Sequence, residues 1–179
     1  YKDADVIFIT HDHYDHYSEE DIDKVVNNDT IIVAPEDLLT KLLKKGFEKE
    51  NIVLVTPNES DTVKGLEFQT IPAYNTNKQF HPKANEWVGY LIKIEGITYY
   101  IAGDTDITEE NRNVKCDVAF VPVGGTFTMD YREAAKLINE IKPKIAVPTH
   151  YGSIVGDKED GVRFANLIER DVEVEILMK

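Results

Sequence analysis

Cysteine, basic residues and long apolar runs are all scarce in this sequence. The 179 residues include one cysteine, Cys116, which excludes a framework of internal disulfides and favours a reducing compartment, so we expect a cytoplasmic protein. Lysine and arginine total 20 against 33 aspartate and glutamate, and this net charge of −13 argues against a nucleic-acid partner. No apolar run approaches the roughly 18 residues of a membrane span, so we expect no membrane partner.

The composition nevertheless supports a folded α/β protein. Apolar residues make up 42% of the chain, enough for a sizeable core, and the length suits one domain over residues 1–179. Short β-rich runs alternate with helical patterns, which predicts sheets covered by helices. We predict strands at 6–9, 31–33, 52–55, 66–73, 88–94, 97–102, 118–121, 145–147 and 172–177, and helices at 18–26, 35–45, 130–141 and 162–168.

Local signals mark several element boundaries. Ser18, followed by acidic residues, is a predicted helix N-cap, and Asp130 with Glu133 forms a predicted capping box. Residues 95–96, Glu-Gly, predict a tight hairpin turn between two strands. The helix that Pro35 opens carries a predicted apolar stripe of four leucines, Leu38, Leu39, Leu42 and Leu43.

Histidine is also scarce, and its distribution is uneven. Three of the five histidines lie in one segment directly after the first strand, Thr10-His11-Asp12-His13-Tyr14-Asp15-His16. A strand would send alternate side chains of this segment to opposite faces, and a helix would put His11 and His13 on different sides, so we predict a loop or a helix N-terminus. Imidazole nitrogens and a carboxylate suit zinc, and also manganese or iron. Crowding these groups after an apolar strand is costly without a cation, which favours a metal site over a solvated turn.

Further motifs follow in order along the chain. After the segment His-x-His-x-Asp-His at residues 11–16 come Gly-Asp-Thr at 103–105 and Thr-His at 149–150, each following a predicted strand. This set resembles the metallo-β-lactamase superfamily, and most closely its compact hydrolase branch that includes the ascorbate-6-phosphate lactonases. The resemblance implies a four-layer αβ/βα sandwich with a metal site along one edge. That family begins with several strands before the first motif, so we expect those strands to lie outside this chain.

The resemblance also implies a pair of metal ions and their ligands. His11 and His13 would hold the first ion, Asp104 would bridge both, and the second would be held by Asp15, His16 and His150. Taken alone, Asp104 is equally consistent with a turn aspartate and His150 with a histidine at a strand end.

The first metal's third histidine is where this chain departs from the family. Asn75 occupies the expected position, and the remaining histidine, His81, lies six residues later. We favour His81 as the ligand, supplied by a loop that folds back; the alternatives are an oxygen ligand or water at a weaker site, a substrate contact by His81, or an ordinary loop histidine. Asn75 and Lys78 are candidate substrate contacts, against the simpler interpretations of a turn asparagine and a solvated lysine.

The expected cofactor is therefore two divalent ions, zinc first, with manganese or iron as alternatives. Such a pair lowers the pKa of a shared water, and Asp15 or Asp104 would orient the resulting hydroxide. We predict a hydrolase of a small ester, lactone or phosphodiester substrate, with an oligomeric state left open. One alternative is a non-catalytic or mononuclear metal-binding member of the fold that senses a ligand, and another is a di-iron redox protein.

Overall fold

The computed structural model describes residues 1–178, which form ten β-strands and four α-helices. The strands are β1 (Val6–Phe8), β2 (Ile31–Pro35), β3 (Ile52–Val55), β4 (Ser60–Val63), β5 (Leu66–Pro72), β6 (Val88–Ile94), β7 (Ile97–Ile101), β8 (Val118–Pro122), β9 (Ile145–Thr149) and β10 (Glu173–Val174). The helices are α1 (Glu19–Val25), α2 (Leu39–Lys45), α3 (Tyr131–Ile141) and α4 (Asp160–Ala165). No helix among these residues is both long enough and apolar enough to cross a membrane.

The strands form two sheets of different construction. Strands β1, β2 and β3 make a small parallel sheet, in which α1 and α2 are the crossover connections. The larger sheet has the order β10-β9-β8-β7-β6-β5-β4. Its β4–β7 half is antiparallel: two-residue turns join β4 to β5 and β6 to β7, and the longer loop 73–87 joins β5 to β6. Its β7–β10 half is parallel, with α3 and α4 in the connections from β8 to β9 and from β9 to β10.

Alternation of side chains along the strands separates three apolar clusters. Between the two sheets lies a core that includes Val33, Val55, Phe68, Tyr90 and Ile92. Outside the small sheet, Ile22, Leu38 and Leu42 pack on Ile32 and Ala34. Outside the large sheet, Leu137, Ile138 and Phe164 pack on Tyr100 and Ala119. The molecule is therefore a helix–sheet–sheet–helix sandwich, which confirms the predicted α/β, four-layer fold.

Most predicted boundaries agree with the structure, and the capping signals act as expected. The Ser18 side chain accepts a hydrogen bond from the Asp21 backbone, and Asp130 and Glu133 form a complete capping box. Residues 95–96 both have positive φ, 51° and 83°, as a tight hairpin turn requires.

Four differences have local causes. Strand β4 was not predicted because three of its four residues are polar and exposed at the sheet edge. Helix α2 starts only after a 3₁₀ turn at Glu36–Leu38, and Leu43 is exposed, so the apolar stripe is narrower than predicted. Helix α4 starts at Asp160 and ends at Ala165, before the predicted end at 168. Strand β10 has two residues instead of six, and it pairs only with the start of β9.

The topology collects the predicted site at one edge of the sandwich. Strands β5 and β7 are both antiparallel to β6, so they run in the same direction as β8 and β9. The loops after β5, β7, β8 and β9 therefore all lie at the same end of the large sheet, where these four strands have their carboxyl ends. The end of β1 is tied to this edge by two hydrogen bonds: the Tyr90 hydroxyl donates to the Ile9 carbonyl at 2.7 Å, and the Val88 N–H donates to the Thr10 carbonyl at 3.2 Å.

Candidate metal centre

The histidine-rich segment forms a tight loop after β1. A loop was one of the two structures predicted for it, and the other was a helix N-terminus. Backbone N–H groups of His16 and Tyr17 both donate to the His13 carbonyl, at 2.9 and 2.8 Å, which folds the loop back on itself. The Thr10 hydroxyl lies 3.0 Å from Nδ1 of His11 and 3.3 Å from Nδ1 of His16. Thr10 thus supports both rings from behind and leaves their Nε2 atoms on the side of the site.

One group of four side chains draws on three loops: His11, His13, His81 and Asp104. Their candidate ligand atoms all lie within 4.8 Å of one another. His11 Nε2 is 3.2 Å from His13 Nδ1, and His81 Nε2 is 3.3 Å from Asp104 Oδ2. Three of the four residues are buried, and His13 is half-buried. We call these four residues the first group.

A second group lies on the other side of Asp104 and consists of Asp15, His16 and His150. Oδ2 of Asp15 is 3.2 Å from His150 Nε2 and 3.6 Å from His16 Nε2. This group is more open to solvent, since the three side chains are 23%, 20% and 12% exposed, against 1% for His11 and His81.

Asp104 lies between the two groups and contacts histidines of both. Its Oδ1 is 3.2 Å from His16 Nε2, and its Oδ2 is 3.2 Å from His150 Nε2 and 3.3 Å from His81 Nε2. Burial raises the pKa of this carboxyl, but interactions with the protonated forms of His150, His16 and His81 outweigh burial and hold the pKa far below its usual range. Asp104 is therefore a buried carboxylate at neutral pH.

The imidazoles respond to their surroundings in opposite ways. Burial, with repulsion from His16 next, lowers the pKa of His11 to about 2, so this ring is neutral at any ordinary pH. Burial, followed by His81, also lowers the pKa of His13. Burial lowers the pKa of His150 as well, but Asp104 and Asp15 outweigh it and raise the pKa overall. Metal ions bind neutral imidazoles and ionised carboxylates, so the lowered pKa values of His11 and His13 favour metal binding, whereas a metal ion at His150 would have to displace a proton.

Some of the site's polar atoms are hydrogen-bonded to each other, as His11 Nε2 is to His13 Nδ1 and His150 Nε2 is to Asp15 Oδ2, but others are not. Within residues 1–178, four buried polar atoms have no hydrogen-bond partner: His16 Nε2, His81 Nε2, Asp104 Oδ1 and His150 Nδ1. His16 Nε2 and Asp104 Oδ1 are 3.2 Å apart, yet the contact lacks the alignment of a hydrogen bond. Unpaired buried polar atoms are costly, and a cation accepting their lone pairs would remove that cost. The residues present thus fit a metal centre with nitrogen and carboxylate donors.

His81 lies in the first group because its loop folds back, and its role as a metal ligand stays a prediction. The Asn75 N–H donates to the His81 carbonyl at 2.8 Å, and the His81 N–H donates to Asn75 Oδ1 at 3.0 Å. Asn75 is buried and bonded to His81 and to the Phe127 carbonyl. Lys78 pairs with Asp106 Oδ1 at 2.5 Å. The substrate contacts of Asn75 and Lys78 stay predictions, and these partners give both side chains a different use.

Three further groups support the site. The Trp87 ring lies 4.9 Å from His11, 4.8 Å from His13 and 5.6 Å from His81 between ring centroids. Its Nε1 donates to Asp37 at 2.6 Å, which anchors the indole. The Thr10 hydroxyl and the Phe127 carbonyl were missed, because neither residue type signals a supporting role.

An apolar cavity of about 590 Å³ adjoins the second group. Side chains of β6, β7 and β8 wall it, among them Ile92, Tyr99, Ile101 and Phe120, and it reaches His16 and His150.

Known proteins resemble this chain in sequence over nearly its whole length. The family model described as the beta-lactamase superfamily domain matches residues 1–151. A metal-dependent hydrolase of Thermococcus kodakarensis is 32% identical over 180 residues, covering 98% of this chain and 79% of the relative. A metal-dependent hydrolase of Pyrococcus horikoshii is 33% identical over 184 residues, covering 99% of this chain and 80% of the relative.

Solved structures agree with these sequence matches. A protein from Parabacteroides distasonis, assigned as a metal-dependent hydrolase, superposes with a TM-score of 0.83 at 33% identity, over 98% of this chain and 77% of its own. A metallo-β-lactamase fold protein from Bacillus subtilis superposes with a TM-score of 0.72 at 13% identity, over 98% of this chain and 75% of its own, which shows the fold alone. By motif, fold and sequence, this chain belongs to the metallo-β-lactamase superfamily.

Proposed function

We propose that this chain is a metal-dependent hydrolase whose site holds two divalent cations, with zinc the first candidate and manganese or iron the alternatives. The first cation would be held by His11, His13 and His81, the second by Asp15, His16 and His150, and Asp104 would contact both. Cations bound there would acidify water and polarise the bond under attack. The proposed substrates are small esters, lactones and phosphodiesters, and the relatives' description as metal-dependent hydrolases supports the reaction class.

The observation that carries this proposal is the unsatisfied contact around Asp104. His16 Nε2 and His81 Nε2 approach its two oxygens at 3.2 and 3.3 Å, and both nitrogens lack a hydrogen-bond partner within residues 1–178. Protein interiors rarely leave buried polar atoms unpaired. The unpaired atoms belong to side chains from four loops that converge beside Asp104, and this convergence supports a metal centre.

The two carboxylates have different surroundings, and we assign them different roles. Asp104 is 4% exposed and touches histidines of both groups, which suits a ligand shared by two cations. Asp15 is 23% exposed, so its carboxylate reaches solvent at the open side of the second group. We therefore assign Asp15 to orient the attacking water and to accept its proton, a role that needs hydrogen-bond reach to that water.

The surrounding charge bears on the substrate class. The net charge of −13 gives no steering towards anions, and Lys78 is already paired with Asp106 at 2.5 Å. A neutral ester or lactone therefore ranks ahead of a phosphodiester.

A second candidate function is a mononuclear, non-catalytic site that senses a ligand. The unequal burial of the two groups favours it, since the first group is enclosed and the second is open to solvent. A closed group binds a structural ion well, whereas catalysis needs an open position.

Metal analysis and a substrate panel test both candidates together. The purified chain should hold about two ions and should cleave a chromogenic ester, a lactone or a phosphodiester. Asp104→Asn should lose at least one ion and most turnover, while the matched control Asp61→Asn, on the exposed edge strand β4, should change neither. One ion and no hydrolysis across the panel would favour the mononuclear module. Full metal content and turnover in Asp104→Asn would contradict the dinuclear proposal.

A further inference from the structure

The loop that delivers His81 is closed by one side chain, Asn75. Its backbone N–H donates to the His81 carbonyl at 2.8 Å, and its Oδ1 accepts from the His81 backbone N–H at 3.0 Å. The two residues therefore form a reciprocal pair across the loop, although six positions separate them in sequence.

The orientation of the Asn75 amide follows from backbone groups, whose donor and acceptor roles are not in question. Oδ1 meets an N–H, that of His81, so it is the acceptor end. Nδ2 lies 2.9 Å from the Phe127 carbonyl, which can only accept. Reversing the amide would break both hydrogen bonds, so the assignment of its two ends is secure.

The proton position on His81 follows in turn. Within residues 1–178, Nδ1 of this ring has two hydrogen-bond contacts, Asn75 Oδ1 at 3.3 Å and the Phe127 carbonyl at 3.2 Å, and both are acceptors. Nδ1 must therefore carry the hydrogen, since the alternative would set three lone pairs against one another. Nε2 is then left with its lone pair, buried and facing Asp104 Oδ2 at 3.3 Å.

The Phe127 carbonyl is itself held in place by an unusual turn. Thr126 has φ of 53°, a left-handed conformation that β-branched residues rarely adopt. The Phe127 N–H donates back to the Gly125 carbonyl at 2.6 Å, which closes this turn. Strain of this kind persists where the surrounding structure requires the conformation.

We propose that Asn75, together with the Phe127 carbonyl, fixes His81 as the Nδ1-protonated tautomer and is thereby a positioning residue for the first group. Its effect on metal binding rests on the proposed function, whereas the tautomer itself does not. Supporting hydrogen bonds of this type orient a ligand ring, and losing one typically weakens metal affinity about 10- to 100-fold.

Nitrogen-15 NMR of the metal-free protein tests the tautomer directly. At about pH 8, where an ordinary imidazole is neutral, His81 should show its hydrogen on Nδ1, with the signal assigned by its loss in His81→Gln. Asn75→Leu should move the ring towards the Nε2-protonated form, while Asn75→Asp, which keeps the acceptor, should retain Nδ1–H. A wild-type His81 protonated at Nε2 would overturn the proposal, and this result stands even if no metal is ever bound.

Cobalt titration separates positioning from general damage. Asn75→Leu should bind the first ion about 10- to 100-fold more weakly. Asn75→Asp should bind within a few-fold of wild type, although it buries a new charge and lowers the melting temperature more. Asn77→Ala, an exposed asparagine on the same loop, is the matched control and should match wild type. Equal losses in the leucine and aspartate variants, or unchanged binding in a folded Asn75→Leu protein, would overturn the proposal.

Discussion

The backbone of His150 lies directly against Gly124. A Cβ placed on Gly124 would sit 2.2 Å from the His150 carbonyl oxygen, a distance that no side chain tolerates. His150 itself has φ of 57°, in the left-handed region that non-glycine residues seldom occupy. The loop after β8 and the loop after β9 thus touch at a point where only glycine fits, and this contact sets where the His150 ring enters the second group.

Gly124→Ala should therefore displace His150. We expect a loss of stability of about 1–3 kcal/mol from overpacking, together with weaker binding of one metal ion. Chemical denaturation and metal titration measure the two effects. The control is Gly46→Ala at the end of α2, where a Cβ meets no atom within 4 Å and only the positive φ of 103° is unfavourable. It should cost stability but leave metal binding intact; equal metal loss in both variants would contradict this account of His150.

Trp87 offers an internal reporter for the first group because it is the only tryptophan in the sequence. Its ring lies 4.8 Å from His13 and 4.9 Å from His11, so Co²⁺ bound there should quench its fluorescence. His81→Ala should move the quenching midpoint to at least about 10-fold higher Co²⁺, since a direct ligand matters no less than its support. Asp15→Asn, in the second group, should leave the first quenching step in place. If His81→Ala left the Co²⁺ concentration at the quenching midpoint unchanged, the ion would not be bound by His81.

Metal removal should lower thermal stability. With free metal about 1000-fold above its dissociation constant, binding stabilises the folded chain by about 4 kcal/mol. For a chain of this length, that corresponds to a melting temperature roughly 8–16 °C higher than after chelation. Asp104→Asn should show a much smaller difference, because Asp104 contacts both groups. Identical melting curves with metal and with chelator would speak against a bound cation in the folded state.

Cys116 should be an inert thiol at neutral pH. Burial, and then the neighbouring Asp117, raises its pKa to about 12. At pH 8 the native thiolate fraction should be on the order of 1000-fold below that of the unfolded chain, and alkylation should slow accordingly. Folding raises this pKa, so the thiol contributes stability below about pH 9 that is lost as the pH rises towards 12. If Cys116 were alkylated as fast in the native protein as in the chain unfolded by urea, its burial would be contradicted.

Features with a short-range physical cause could be predicted from the sequence. The hairpin at residues 95–96 and the capping box of Asp130 and Glu133 depend on residues a few positions apart, and the structure has both. Strand β4 could not be predicted, because its residues are polar and only pairing with β5 makes them a strand. Its stability comes from a neighbour, which local patterns do not encode.

In the site, too, features with a local cause could be predicted and features that depend on distant residues could not. The histidine segment at 11–16 signals its chemistry by density, and the ends of parallel strands explain why Asp104 and His150 come near it. The Asn75–His81 pair was harder to predict from the sequence, because a loop closed by one amide side chain places the histidine six residues beyond the expected position. Lys78 was judged by its charge alone, and its partner Asp106 lies 28 positions away.

Anomalous scattering from crystals grown with zinc, measured at the zinc edge, tests the central claim most directly. We predict two peaks flanking Asp104, one within bonding distance of His81 Nε2 and one within bonding distance of His150. A map with no peak at ligand distance from Asp104 would contradict the proposed metal centre.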